Sequence, residues 1–306
     1  MKTNLKVNIG KLKLSNPVMA ASGTFGSEYG KFIDMNSLGA IVTKTITLKP
    51  RMGNPSPRVA ETASGMLNSI GLENKGLDNF IDEKLPLFKN VKAPLIASIS
   101  GDNEAEFEIL AKSLSKIKMI RALELNLSCP NIKHGDRLGL IAQDEEATHR
   151  IVRSVRRVTG MTLIVKLAPN VTDIAKIARA AESAGADAVV IVNTFQAMAV
   201  DIKTRLPKLG NITGGLSGPA IKPIALKLVW DAYNNIKIPV IGVGGIMDYE
   251  DAIEFIICGA TAVQVGTANF VNPKASVEIV NGISKYLTAN KIGDINKLRG
   301  GLKVYE

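Results

Sequence analysis

The sequence predicts an α/β fold, a (β/α)8 barrel of eight short parallel strands linked by helices and closed on itself. Three observations carry that expectation. Short β-branched runs alternate with amphipathic stretches along the whole chain. The chain has 306 residues, a length that such barrels occupy as one unit. No linker or low-complexity stretch divides it, so one domain over residues 1–306 is expected. An open doubly wound sheet would need a Gly-x-Gly-x-x-Gly turn after its first strand, and none follows here.

The strands are expected, in order, at residues 17–21, 40–44, 94–98, 122–126, 162–167, 188–193, 239–243 and 262–266. Helical periodicity fills the stretches between and after them, at 72–84, 104–117, 144–158, 173–184, 219–234, 249–258 and 273–289. Asp248 ahead of one helix, and Gly185 and Gly259 just after two others, are start and stop signals. Before the first strand, residues 5–15 alternate apolar and polar around Gly10, which reads as an N-terminal β-hairpin closing the bottom of the barrel. Two segments show no regular period: 129–143 after the fourth strand and 195–218 after the sixth. Irregular loops of that length are expected to be lids or binding loops of an active site.

Apolar residues make up 46% of the chain and charged residues 22%, a globular composition. The longest apolar runs, such as 188–192 and 238–243, are far shorter than a membrane span. The first residues develop no apolar core of a secretory signal, so the expected location is the cytoplasm. Two cysteines, Cys129 and Cys258, can neither build a disulfide framework nor give four thiolates to an iron–sulfur cluster. His134 and His149 lack company with ligand spacing, and no metal site is expected. A net charge of +10 raises the question of nucleic acid, but the Lys and Arg residues are scattered and aromatics are only 5%. The preferred reading is a solvated basic surface that draws in anionic small molecules, with neither nucleic acid nor a membrane as partner.

In a barrel of this kind chemistry sits at the C-terminal ends of the strands. Unusual polar residues cluster there: Ser22-Gly23, Thr43-Lys44-Thr45, the run from Asn126 to Asn131, Lys166, Asn193-Thr194, Gly244-Gly245 and Gly266-Thr267. A lysine inside an apolar strand, as at Lys166, is costly to bury without an anionic partner. Its harmless explanation is an edge strand with the ammonium in water, and a closed barrel has no edge. Lys44 ends an equally apolar strand. Gly244-Gly245 and Gly266-Thr267 can bring bare backbone N–H groups against a phosphate after the two strands where barrels most often bind one. Turns need glycines too, and it is the placement at both strand ends that gives the pairs weight. Most lone cysteines are buried and inert. Cys129, on a loop among Asn126, Ser128 and Asn131, has instead the polar setting of a reactive thiol, whereas Cys258 reads as helix core.

At Asn126-Leu127-Ser128-Cys129-Pro130-Asn131 the chain resembles the class 1 dihydroorotate dehydrogenases, across essentially its full length. The resemblance is strongest to the catalytic subunit of the NAD-dependent class 1B type. The segments that carry it further are Ala21-Ser22-Gly23-Thr24-Phe25-Gly26, Lys44-Thr45, Asn68-Ser69-Ile70-Gly71-Leu72, Asn193-Thr194, Gly214-Gly215-Leu216-Ser217-Gly218-Pro219, Gly242-Val243-Gly244-Gly245-Ile246 and Val265-Gly266-Thr267. It implies one FMN per chain, bound by Ser22, Lys44, Thr45, Asn126, Lys166, Val192, Gly218, Gly244, Gly245, Gly266 and Thr267. It implies substrate contacts from Lys44, Asn68, Ser69, Ile70, Gly71, Leu72, Asn126, Asn131, Asn193 and Thr194, with Cys129 as the catalytic base. The membrane-associated class 2 enzymes carry serine at that position. Three departures stand out. Ser98 stands where many relatives place an asparagine near the flavin. Glu73-Asn74-Lys75-Gly76 and His134-Gly135-Asp136 also differ from the usual pattern.

The implied reaction removes a proton from C5 of dihydroorotate and passes hydride from C6 to flavin N5, giving orotate for de novo pyrimidine biosynthesis. A thiol is a serviceable base once its thiolate is favoured, and Lys44 is a nearby cation that could favour it. Asparagines match the substrate's alternating amide donors and acceptors. Lys166 suits the flavin N1/O2 edge, where negative charge gathers on reduction. With no dinucleotide fingerprint in the chain, the resemblance implies a partner subunit carrying FAD and a [2Fe–2S] cluster, and a homodimer of this chain within a heterotetramer. The alternatives are a class 1A-like homodimer using fumarate, another FMN barrel such as a dihydrouridine synthase, and a non-redox phosphate-binding barrel.

Overall fold

Strands of a parallel sheet covered on both faces read as near-continuous runs of Val, Ile, Leu and Ala. The computed structural model, which describes residues 3–127 and 143–305, closes eight of them into a parallel barrel. They are β1 (Val18–Ala20), β2 (Ala40–Val42), β3 (Leu95–Ile99), β4 (Ile120–Asn126), β5 (Thr162–Lys166), β6 (Ala188–Ile191), β7 (Val240–Val243) and β8 (Ala262–Val265). Each pairs with the next in sequence, and β8 returns to β1 with Val263 opposite Val18 and Val265 opposite Ala20. Every strand residue is buried except Arg121. All eight expected strands are therefore present, each within two residues of its expected limits.

The helices pack outside: α1 (Glu104–Leu114), α2 (Glu145–Val158), α3 (Ile174–Ser183), α4 (Lys222–Tyr233), α5 (Tyr249–Ile257) and α6 (Ala275–Ala289). Four begin at a side chain that accepts from the first free backbone N–H groups, namely Asn103, Asp144, Asp173 and Asp248. Caps of this kind contribute about 1 kcal/mol each and fix where the helix starts. The strands Val7–Ile9 and Leu12–Leu14 form the expected hairpin, their apolar residues buried and their lysine and asparagine outward. Gly10 at its tip lies against Asp187, the residue before β6, so the hairpin covers the N-terminal end of the barrel.

Between β1 and β2, where no helix was expected, lie two short 3-10 turns, Ser27–Lys31 and Met35–Ser37. Two expectations are corrected. The helix expected over 72–84 is broken into an α-turn at Gly76–Asn79, a π-turn at Phe80–Lys84 and a 3-10 turn at Leu85–Phe88. Its first residues cannot be helical, because Gly71, Leu72 and Gly76 all have positive φ. The segment 195–218 is largely regular. Its strands Phe195–Met198 and Thr213–Ser217 join Gly65–Asn68 and Val59–Thr62 in a four-stranded antiparallel sheet. That sheet brings two distant loops together at the C-terminal end of the barrel. Residues 128–142, which hold most of the other long loop, lie outside the described residues. Among the described residues, no helix is long and apolar enough to cross a membrane.

Candidate active site

Eight parallel strands point their C-terminal ends the same way, so residues far apart in sequence meet at one mouth. A cavity opens there, lined by Ser22, Lys44, Asn126, Lys166, Asn193 and Gly245 among others. Its walls come from seven of the eight strand ends.

On one side a hydroxyl and amide cluster is centred on Thr45, which is buried. Its Oγ1 lies 3.2 Å from Ser22 Oγ and 3.0 Å from Ser98 Oγ, and accepts from Asn126 Nδ2 at 3.2 Å. Ser100 Oγ donates to the Asn126 carbonyl at 3.2 Å. These bonds lock the rotamers of Ser22 and Asn126 at the cavity wall. Ser98 is wholly buried beneath Thr45 and does not line the cavity. Lys44, between buried neighbours, is exposed to the cavity, and its side chain runs beside Gly23.

Lys166 ends β5 and is 7% exposed. Its Nζ donates to Gln264 Oε1 at 3.5 Å. Gln264 Nε2 in turn donates to Glu124 Oε2 at 2.6 Å. The lysine thus has polar company in the barrel, from residues that pattern reading of β4 and β8 treated as ordinary strand.

The far end of the cavity is bare backbone. Gly218, Gly244 and Gly245 have φ of 99°, 131° and 76°, conformations open to glycine. A Cβ at Gly245 would lie 2.7 Å from Lys222 Cβ and 2.9 Å from the Gly218 carbonyl, so no larger residue fits. Thr267 Oγ1, just after β8, donates to Ser217 Oγ at 2.8 Å and joins that strand end to the antiparallel sheet. One carboxylate fastens the assembly from behind. Asp251 Oδ2 accepts from the Met247 and Asp248 N–H groups at 2.8 and 3.3 Å, while Oδ1 accepts from Lys222 Nζ at 2.5 Å. That hydrogen bond to Asp251 raises the Lys222 pKa above the ordinary lysine value.

The antiparallel sheet supplies the remaining wall. Asn68 pairs with Gly215 across it, and Asn68, Ile70, Gly71 and Leu72 line the cavity with Asn193 and Thr194. Ser69 does not. An extended chain turns alternate side chains to opposite faces, and Ser69 is fully buried with its N–H donating to the Arg58 carbonyl at 2.7 Å. Cys129 and Asn131 lie outside the described residues. Every other residue expected at the cofactor or the substrate lines the cavity, Val192, Gly266 and Thr267 included. Sequence reasoning missed Gln264, Ser217, Met247, Met66 and Phe270, which also line it. A glutamine in an apolar strand was the one signal that could have found a member of that set. Cys258 is the free cysteine among the described residues, and burial pushes its thiol up.

A closed (β/α)8 barrel with its lysines, asparagines and bare backbone gathered at the C-terminal mouth has the architecture of a barrel enzyme. Within that class, the family model described as dihydroorotate dehydrogenase matches residues 4–287. The chain belongs to the dihydroorotate dehydrogenase family. A protein of Desulforamulus reducens is 53% identical over 302 residues, covering 98% of this chain and 99% of its own length. A Trichlorobacter lovleyi protein is 52% identical over 306 residues, covering 99% and 100%. One from Caldicellulosiruptor saccharolyticus is 51% identical over 304 residues, covering 98% and 100%. All three bear the name dihydroorotate dehydrogenase B (NAD(+)), catalytic subunit.

Proposed function

We propose that this chain is the FMN-binding catalytic subunit of a class 1B dihydroorotate dehydrogenase. It oxidises dihydroorotate to orotate in the cytoplasm, for de novo pyrimidine biosynthesis, and its electrons pass through an FAD- and [2Fe–2S]-carrying partner subunit to NAD. The unit is one domain over residues 1–306, and two copies pair as a homodimer within a heterotetramer. The observation that carries this reading is the convergence of Lys44, Asn126, Lys166 and Asn193 with the glycine-lined backbone at one barrel mouth.

The residues present fit FMN. Gly218, Gly244 and Gly245 pack so closely on Gly65, Ala225 and Lys222 that a Cβ would not fit, and the bare backbone they leave at the cavity suits a dianionic phosphate. Lys166 offers a buried positive charge at the cavity floor, and Ser22, Thr45, Asn126, Val192, Gly266 and Thr267 complete the binding set. When bound, FMN supplies the two-electron acceptor that no side chain here can provide. The protein holds the substrate ring with Lys44, Asn68, Asn126, Asn131, Asn193 and Thr194. Ile70, Gly71 and Leu72 close over it and keep water out. Cys129 takes the C5 proton, and the Lys44 charge favours its thiolate.

The test is direct. The purified protein should be yellow, release FMN and not FAD on acid precipitation, and lose its flavin colour when dihydroorotate is added without oxygen. A protein that takes up no FMN, or one whose bound FMN ignores dihydroorotate, overturns the reading.

A further inference from the structure

A carboxyl group sits in the middle of the barrel, and the reaction just described does not use it. Glu124 is wholly buried on β4, two residues below Asn126 and on the same face of the strand. Gln264 is equally buried on β8. Strands 4 and 8 stand opposite each other in a ring of eight, so the Gln264–Glu124 hydrogen bond of 2.6 Å crosses the barrel interior. Glu124 Oε1 has no hydrogen-bond partner among the described residues. Burying a carboxyl group this way is costly, and packing alone would favour an apolar residue.

The geometry points to Glu124 as a positioning residue that acts on Lys166 through Gln264. A carboxamide is asymmetric: one end donates and the other accepts. Glu124 Oε2 accepts from the NH2 of Gln264, which turns that end of the amide down toward it. The carbonyl oxygen is then forced upward to the cavity floor, where Lys166 Nζ donates to it at 3.5 Å. Glu124 thereby anchors Gln264 in the one orientation that offers its carbonyl to the lysine, and so holds the lysine head in one place. This rests on the reading of Lys166 as the cation facing FMN.

The test is a double-mutant cycle read on the midpoint potential of bound FMN. Glu124→Gln keeps the side-chain shape but faces Gln264 with a carboxamide that can donate as well as accept, which loosens the hold on the Gln264 amide. Any direct effect of the substitution on the flavin is the same with or without Lys166 and cancels in the cycle. The expected result is non-additivity with Lys166→Met. In the presence of Lys166, Glu124→Gln should disfavour reduction at least tenfold more than it does in the Lys166→Met background, a difference of about 30 mV for two electrons. If Glu124→Gln does not fold, the pair Glu124→Leu with Gln264→Leu removes both members of the Glu124–Gln264 bond together, takes the Lys166 acceptor with them, and enters the same cycle. Additive shifts overturn the inference while leaving the FMN reading intact. Unchanged potential and FMN affinity in Lys166→Met alone would remove the role of Lys166 and this inference with it.

Discussion

Lys166 and Cys129 pose the same question at the residue scale, namely what makes an unusual side chain worth its place. For Lys166 the answer is tertiary, because Gln264 and Glu124 reach it from strands far away in sequence. For Cys129 it is local: the asparagine-rich run from Asn126 to Asn131 is itself the setting. Cys129→Ala should lower dihydroorotate oxidation by several orders of magnitude while FMN stays bound with a near-normal spectrum. Cys129→Ser should keep some activity at high pH, since a hydroxyl is a far weaker acid than a thiol. Stopped-flow reduction of bound FMN checks both variants. Near-wild-type turnover in the alanine variant would assign the base elsewhere. Both residues stood out in the sequence because each breaks its local pattern. Gln264 and Glu124 break theirs as well, but a single polar residue in a strand gives no hint of the residue it meets across a barrel.

At the scale of elements, the glycine-lined loop after β7 is held by a device that serves folding and binding together. Asp251 belongs to the capping box of α5, fixes the Met247 and Asp248 N–H groups, and pairs with Lys222 at the start of α4. Asp251→Ala should cost about 1.5–3 kcal/mol, the range for hydrogen bonds to a charged group, and should weaken FMN binding by loosening Gly244 and Gly245. Denaturant unfolding and a flavin titration measure the two effects, and unchanged values for both would refute this role. The Lys222 pKa is raised in the folded state, so the stability its ion pair contributes is complete below the ordinary lysine value of 10.5. That stability is lost as pH rises through the folded value. Wild type should therefore lose melting temperature above about pH 10 more steeply than Asp251→Asn; parallel pH profiles would contradict this. The cap at Asp248 was visible in the sequence because capping is local. The Lys222–Asp251 pair was not, because it spans two helices. The antiparallel sheet escaped notice for a similar reason: glycine-rich strands such as Thr213–Ser217 carry no clear alternation, and their pairing partner lies some 150 residues earlier.

For the whole molecule, the proposal divides the reaction between two subunits. The isolated chain should reduce artificial dyes with dihydroorotate but reduce NAD very poorly, and adding the partner subunit should restore NAD reduction. Robust NAD reduction by the chain alone, or efficient turnover with fumarate, would overturn that division. The barrel itself was determined by the sequence alone, because burial on both faces forces near-continuous apolar runs and each strand is written out in five or so adjacent residues. The strand-end residues could be named for the same reason: a parallel barrel puts every C-terminal strand end at one mouth. Other features depended on the tertiary structure. It laid Gly65–Asn68 and Thr213–Ser217 together over that mouth, turned Ser69 away, and joined Glu124, Gln264 and Lys166 across the interior. Local patterns report which way a side chain faces, but its partner on another strand is set only when the barrel closes.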